Sequence, residues 1–200
     1  ILGTENLSIA TEVLKNVEGQ LITNGELKIE KTKEIDNSRG LIQGNLERLE
    51  GDKLINEEGK IITGKALNIE VKETENKKGE IYSTEKIEIS GKSLDNREGK
   101  IQSNGKIDIN VKEVNNSKGK ILADGIQDTE EAAEEKTESQ ANSENTEEKT
   151  YGGINITGDK LNNTEGKILA LGEIGIGVTK ISNDKGEIRG EKLELKGKEL

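Results

Sequence analysis

Apolar residues in this chain recur on a fixed grid and not in runs. Asn-x-x-Gly occurs eight times, at Asn16, Asn37, Asn56, Asn76, Asn96, Asn116, Asn163 and Asn183, with separations of 21, 19, 20, 20, 20, 47 and 20. Five residues after each Asn stands an aliphatic: Leu21, Ile42, Ile61, Ile81, Ile101, Ile121, Ile168 and Ile188. Eleven and thirteen residues after it comes an alternating pair, as in Leu27/Ile29, Leu67/Ile69, Ile87/Ile89, Ile107/Ile109 and Ile174/Ile176. Two residues before it stands, in most repeats, another aliphatic, such as Leu54, Leu94, Val114 or Leu161. The stretch Gly105-Lys-Ile107-Asp-Ile109-Asn-Val111 shows the period-two alternation of a half-buried strand, with Gly and Asn at its ends. No period of 3.6 spans any repeat. The pattern predicts strands and no helix.

A unit of about 20 residues with two or three short strands cannot bury its apolar faces alone, so its copies must stack. The expected fold is all-β, a parallel β-helix of about eight to nine rungs, with neighbouring strands ~4.8 Å apart. Ile61, Ile81, Ile101 and Ile121 should form one inward column, and Ile87 and Ile107 another. The Asn-x-x-Gly unit fits the corner, Asn bonding local backbone and Gly supplying positive φ. Stacking would also set the Asn side chains in an amide ladder. Charge gives an independent mark of register. The residue two after each Asn reads Glu18, Arg39, Glu58, Lys78, Glu98, Lys118, Glu165 and Lys185, changing sign at every step. Opposite charges on facing strand positions stabilise one another. A longer, two-rung repeat is visible too: Ile89-Ser-Gly-Lys-Ser-Leu-Asp-Asn96 matches Leu49-Glu-Gly-Asp-Lys-Leu-Ile-Asn56 and Ile156-Thr-Gly-Asp-Lys-Leu-Asn-Asn163.

One interruption breaks the grid. The gap from Asn116 to Asn163 is 47, one rung plus 27 residues, and divides the chain into rungs 1–125, an insertion 126–152 and rungs 153–200. Residues 128–150 hold nine acids and two lysines and no aliphatic larger than Ala. Such a segment cannot offset its ordering entropy by burial. It is expected to project as a solvated, cleavable loop, open at Lys136 and Lys149, with at most a transient helix over 128–139. Sign alternation runs across it from Lys118 to Glu165, so it should add no rung, and Ile121 should stack on Ile168. Its role is either that of a tolerated surface insertion or that of a binding or modification loop.

Composition then removes whole classes of chemistry. The core must come from 25 Ile, 18 Leu and 6 Val, because Phe, Trp, Met, Pro, Cys and His are all absent. Without His or Cys there is no thiolate or imidazole metal site, disulfide, or Ser-His or Cys-His nucleophile. The net charge of −10 opposes nucleic acid and anionic membranes. No apolar run approaches the ~20 residues that span a bilayer. The start Ile1-Leu2-Gly3 has neither initiator Met nor signal peptide and reads as an excerpt from a longer chain. Calcium motifs of the β-roll and EF-hand types are missing. Arg39, Arg48, Arg97 and Arg189 do not share a column, which argues against a β-helical carbohydrate-active enzyme. The glycosylation sequons at Asn6, Asn155 and Asn162 are of a kind that arises by chance in an Asn- and Thr-rich chain. A left-handed hexapeptide helix would need coils of about 18 residues. The expectation is a non-enzyme with no catalytic residue, no cofactor and no metal.

The stretch Leu94-Asp-Asn96-Arg-Glu-Gly99-Lys-Ile101-Gln-Ser-Asn-Gly105-Lys-Ile107-Asp-Ile109 resembles the filamentous haemagglutinin repeats of large bacterial exoproteins. The resemblance covers the chain outside the acidic insertion. It implies a right-handed parallel β-helix acting as the shaft of a secreted or cell-surface adhesin or contact-dependent inhibition protein. It implies export through an outer-membrane partner by two-partner secretion, with a host or neighbouring-cell receptor as a further partner. A chain without cysteine suits that route, since a disulfide would hinder threading.

Overall fold

Each repeat folds as one coil carrying a short strand after the Asn-x-x-Gly turn and a long strand leading to the next turn. In the coil that starts at Asn96 these are Lys100–Ser103 and Ile107–Asn115. The structure, a computed structural model, describes residues 1–127 and 150–198. The short strands stack into a ten-stranded sheet and the long ones into a nine-stranded sheet. Successive coils pair in parallel, with Ile61, Ile81, Ile101 and Ile121 opposite one another in turn. Ile87 and Ile107 face each other in the second sheet. No helix occurs among the described residues. The chain is an all-β solenoid of about eight turns.

The long strand is not straight. Its buried positions step by two through Ile107, Ile109 and Val111, then by three to Val114, so the chain turns a corner at Lys112–Glu113. Inward rows from both sheets merge into one core made of Ile, Leu, Val and a single Ala. Ile42, Ile61, Ile81, Ile101, Ile121 and Ile168 are fully buried. At about 25 cal/mol per Å² of apolar surface removed from water, these aliphatic columns are the main source of stability.

Across the insertion the solenoid closes up. Ile121 pairs with Ile168 and Ile107 with Ile154, so no coil stands between them. Ile126–Gln127 and Thr150–Tyr151 pair antiparallel, outside both large sheets, and bring the two ends of the segment together. The expected loop, its cleavage sites and its transient helix fall on residues 128–149, outside the described residues.

The turn corrects one expectation. Positive φ, at 52–58°, belongs to the charged residue before each Gly (Glu18, Arg39, Glu58, Lys78, Glu98, Lys118, Glu165, Lys185) and not to the Gly. The Gly answers a different need. A Cβ at Gly99 would fall on the Asn76 carbonyl oxygen of the preceding coil and 2.7 Å from the Asn96 Oδ1. Close approach of successive turns excludes every side chain there, while the charged neighbour bears a left-handed backbone costing about 1–2 kcal/mol.

The two-rung repeat also has a physical basis. At the corner of the long strand, Gly and Val alternate: Gly51/Val71, Gly91/Val111 and Gly158/Val178 pair in register. A Cβ at Gly91 would overlap the Val71 carbonyl, and one at Gly158 the Val111 carbonyl. The insertion falls between the second and third of these double units.

Seven residues after the Asn runs a second inward polar column, which the apolar grid did not reveal. Thr63, Ser83 and Ser103 are buried, and each hydroxyl donates to a carbonyl of the preceding coil, at 2.9, 2.7 and 2.7 Å to Leu46, Lys65 and Glu85. Thr74 is different. It occupies the column of Leu54 and Leu94, is 1% exposed, and its hydroxyl has no hydrogen-bond partner. A buried, unmatched hydroxyl costs about 1–3 kcal/mol. Thr74→Val, with nearly the same shape, is therefore expected to raise stability by about 1 kcal/mol, read as a higher urea midpoint. A lower midpoint would show that the hydroxyl is bonded after all.

Candidate functional site: the turn ladder and the charged columns

The feature that recurs at every turn is an asparagine ladder. Each Nδ2 donates to the Oδ1 of the next Asn at 2.7 Å, from Asn16 through Asn183. An amide nitrogen has two hydrogens. Asn96 directs one at Asn116, and the other lies between the carbonyls of Gly99 (3.4 Å) and Lys120 (3.2 Å). Its backbone N–H donates to Asn115 at 2.7 Å, and the Gly99 N–H closes the turn on its carbonyl at 3.1 Å. Asn37, Asn56, Asn76, Asn96, Asn116 and Asn163 are wholly buried. The ladder bridges the insertion without a break, Asn116 donating to Asn163. It is a spine that fixes register, and it offers no group to a ligand.

Outside the ladder the alternating charges stand on the turn. Arg39 meets Glu18 at 2.6 Å, and Lys78 meets Glu58 and Lys118 meets Glu165 at 4.0 Å. The last pair spans the insertion, as the alternation of sign predicts. Beside this column runs a denser zip: Lys53–Glu75 (3.0 Å), Lys77–Glu75 (3.4 Å), Lys77–Asp95 (3.7 Å) and Arg97–Asp95 (2.8 Å). Partial burial pushes the Glu75 and Asp95 carboxyls up. Hydrogen bonds and charge from Lys53 and Lys77 at Glu75, and from Arg97 and Lys77 at Asp95, outweigh it and hold both below their ordinary values. A depressed carboxyl stabilises the fold above its unfolded value, and that contribution is lost as pH falls through the folded one. Stability should therefore decline below the ordinary carboxylate values of 4.5 and 3.8, and the double variant Glu75→Gln, Asp95→Asn should flatten the decline. Urea midpoints across the acid range measure it; an unchanged slope in the double variant would refute the assignment.

A groove of about 770 Å³ lies where the 21-residue coil meets the 19-residue coil. Ladder pairing there stops at Leu27–Leu46 and resumes at Glu34–Lys53. Lys31, with φ 60°, stands at its rim. Charges along the groove are largely matched: Arg48 with Glu50 and Glu70, Lys28 with Glu26, Asp52 with Lys72. Among the described residues no cluster of acids could hold a metal ion, and no helix is long and apolar enough to cross a membrane. The four arginines lie on different columns, as the spacing implied. Sequon residues Asn6 and Asn162 spend their Oδ1 atoms accepting backbone N–H groups at 2.9 and 3.0 Å, and Asn155 lies within the strand Ile154–Asn162.

Comparison with protein families agrees with this geometry. The family model described as haemagglutinin repeat matches residues 32–110, 91–130 and 141–197, more than half of the chain. No curated protein and no solved structure matches.

Proposed function

The chain belongs to the haemagglutinin repeat family, and from that premise we propose that it is a shaft segment of a large secreted or cell-surface bacterial adhesin-like exoprotein. The unbroken Asn16–Asn183 ladder carries the reading, because a spacer needs one register held from coil to coil. The family is a structural and adhesive one. In this reading the solenoid sets the distance between functional modules, and export proceeds through an outer-membrane partner as a cysteine-free, unfolded chain. Rigidity is testable directly, since the chain has no Cys and labels can be placed at will. Spin labels on Glu18→Cys and Lys185→Cys, seven coils apart, should give one narrow distance centred near 34 Å, allowing for linker reach. A broad distribution would remove the shaft.

One observation favours a second role. The antiparallel pair at Ile126–Gln127 and Thr150–Tyr151 gathers both ends of the acidic insertion at one point on the wall. This is how a scaffold presents a contact loop. If residues 126–152 carry receptor contact, deleting them abolishes adhesion and leaves the spin-label distance unchanged.

A further inference from the structure

In several columns of the wall opposite charges face one another from coil to coil, as Lys53 faces Glu73 and Glu113 faces Lys160, while like charges meet at Glu50/Glu70 and Glu88/Asp108. In the outward column of the short strands, Lys60, Glu80 and Lys100 stand in register and are joined at 3.5 and 3.2 Å. The alternation then fails. Lys100, Lys120 and Lys167 stack on three consecutive coils. Glu80 holds Lys100 and Glu187 holds Lys167, the latter at 3.5 Å. Lys120 is exposed and has no ion-pair partner among the described residues. Like charges placed directly opposite destabilise a sheet. A glutamate at this one position would face two lysines, so folding alone does not call for Lys120.

The adjoining outward column is apolar on two of these three coils, Gln102 standing beside Lys100. Leu122 and Leu169 are in register and half-buried, although they point away from the core. Leu171, two residues further on, is 48% exposed, and Tyr151, whose carbonyl lies against Gly172, is 40% exposed. A cationic row and an aliphatic ridge thus run side by side over the coils of Lys120 and Lys167, about 4.8 Å apart.

We propose that this face docks an extended acidic peptide with aliphatic side chains, its carboxylates over Lys100, Lys120 and Lys167 and its apolar groups on Leu122, Leu169 and Leu171. Charge complementarity selects this occupant. The patch is locally cationic on a chain of net charge −10, which repels a long polyanion such as nucleic acid but admits a short acidic segment. The ridge supplies apolar area that a purely ionic ligand would leave uncovered.

The test uses the full chain and a fluorescein-labelled peptide of alternating Glu and Leu, followed by anisotropy. Wild type should bind saturably, and added salt should weaken the complex. Lys120→Glu should weaken binding by about tenfold or more, because it turns an attraction into repulsion. The same change should raise the thermal midpoint by about 2 °C, since it restores the alternation. Leu171→Ser should also weaken binding, and Lys112→Glu, at the far corner, should leave it unchanged. Absence of saturable binding, or equal binding by Lys120→Glu, overturns the proposal, as does a lower midpoint in that variant. Two further outcomes overturn it by naming another occupant. One is a dimer in sedimentation that Lys120→Glu dissolves; the other is carbodiimide cross-linking of Lys120 to carboxylates within 128–149.

Discussion

Ile101→Asp is expected to cost about 3–5 kcal/mol and to melt the central coils as a unit. Ile101 is fully buried and sits between Ile81 and Ile121 in the short-strand sheet. A carboxylate there has only aliphatic neighbours from the facing rows, so it stays charged at a high desolvation cost or takes up a proton. The lost side chain adds a cavity that stacked coils cannot collapse around, because each is pinned by the ladder above and below. Three residues away, Glu98→Lys should cost a small fraction of this. Its side chain leaves the turn into solvent, and only the sign of one exposed column changes. Urea melts rank the two directly. If Glu98→Lys lost as much as Ile101→Asp, the assignment of inside and outside would be inverted.

That ranking was legible from the chain alone, and so was most of the solenoid. The reason is physical: in a stacked fold each coil has its own copy as its neighbour, so a contact and a repeat are the same fact. The 47-residue gap resolved for the same reason, since Lys118 and Glu165 carry opposite signs across it. What escaped were contacts within the turn and across its wall. The period shows that Gly99 recurs, yet positive φ and lack of space both select glycine, and only the Asn76 carbonyl in the preceding coil separates them. The hydroxyls of Thr63, Ser83 and Ser103 do not stand out in the chain because Ser and Thr also mark loops; their constant distance from Asn56, Asn76 and Asn96 is the signal it carries. Thr74 was hidden among aliphatics of its column. The break in strand pairing after Leu27–Leu46 shows in the sequence only as 21 followed by 19. No functional site could be read from motifs, and the lysine stack emerges only once register makes neighbours of Lys100, Lys120 and Lys167, which lie 20 and 47 residues apart.

The ladder itself gives the second large effect. Asn96→Asp keeps the shape of the side chain and exchanges its nitrogen for oxygen. Asn76 still finds an acceptor at 2.7 Å. On the other side, the Asn116 Oδ1 and the Gly99 and Lys120 carbonyls all lose their donor and would face an anion. The site is fully buried, so the carboxyl must lose its charge or strain the turn, and its pKa in the fold is driven above the ordinary ~3.9 of aspartate. A raised carboxyl weakens the fold progressively as pH rises from the unfolded value to the folded one. The deficit should therefore be modest near pH 4, where a protonated Asp can still donate one hydrogen bond, and reach about 3–5 kcal/mol at neutral pH. Asn183→Asp supplies the control. Asn183 is exposed and donates only to Gly186, at 3.2 Å, so water can solvate the new charge and the loss should stay below about 1 kcal/mol at every pH. Urea midpoints of both variants against pH give the answer. A flat profile for Asn96→Asp would mean that solvent reaches the ladder, and the asparagines would then be turn formers without being a spine.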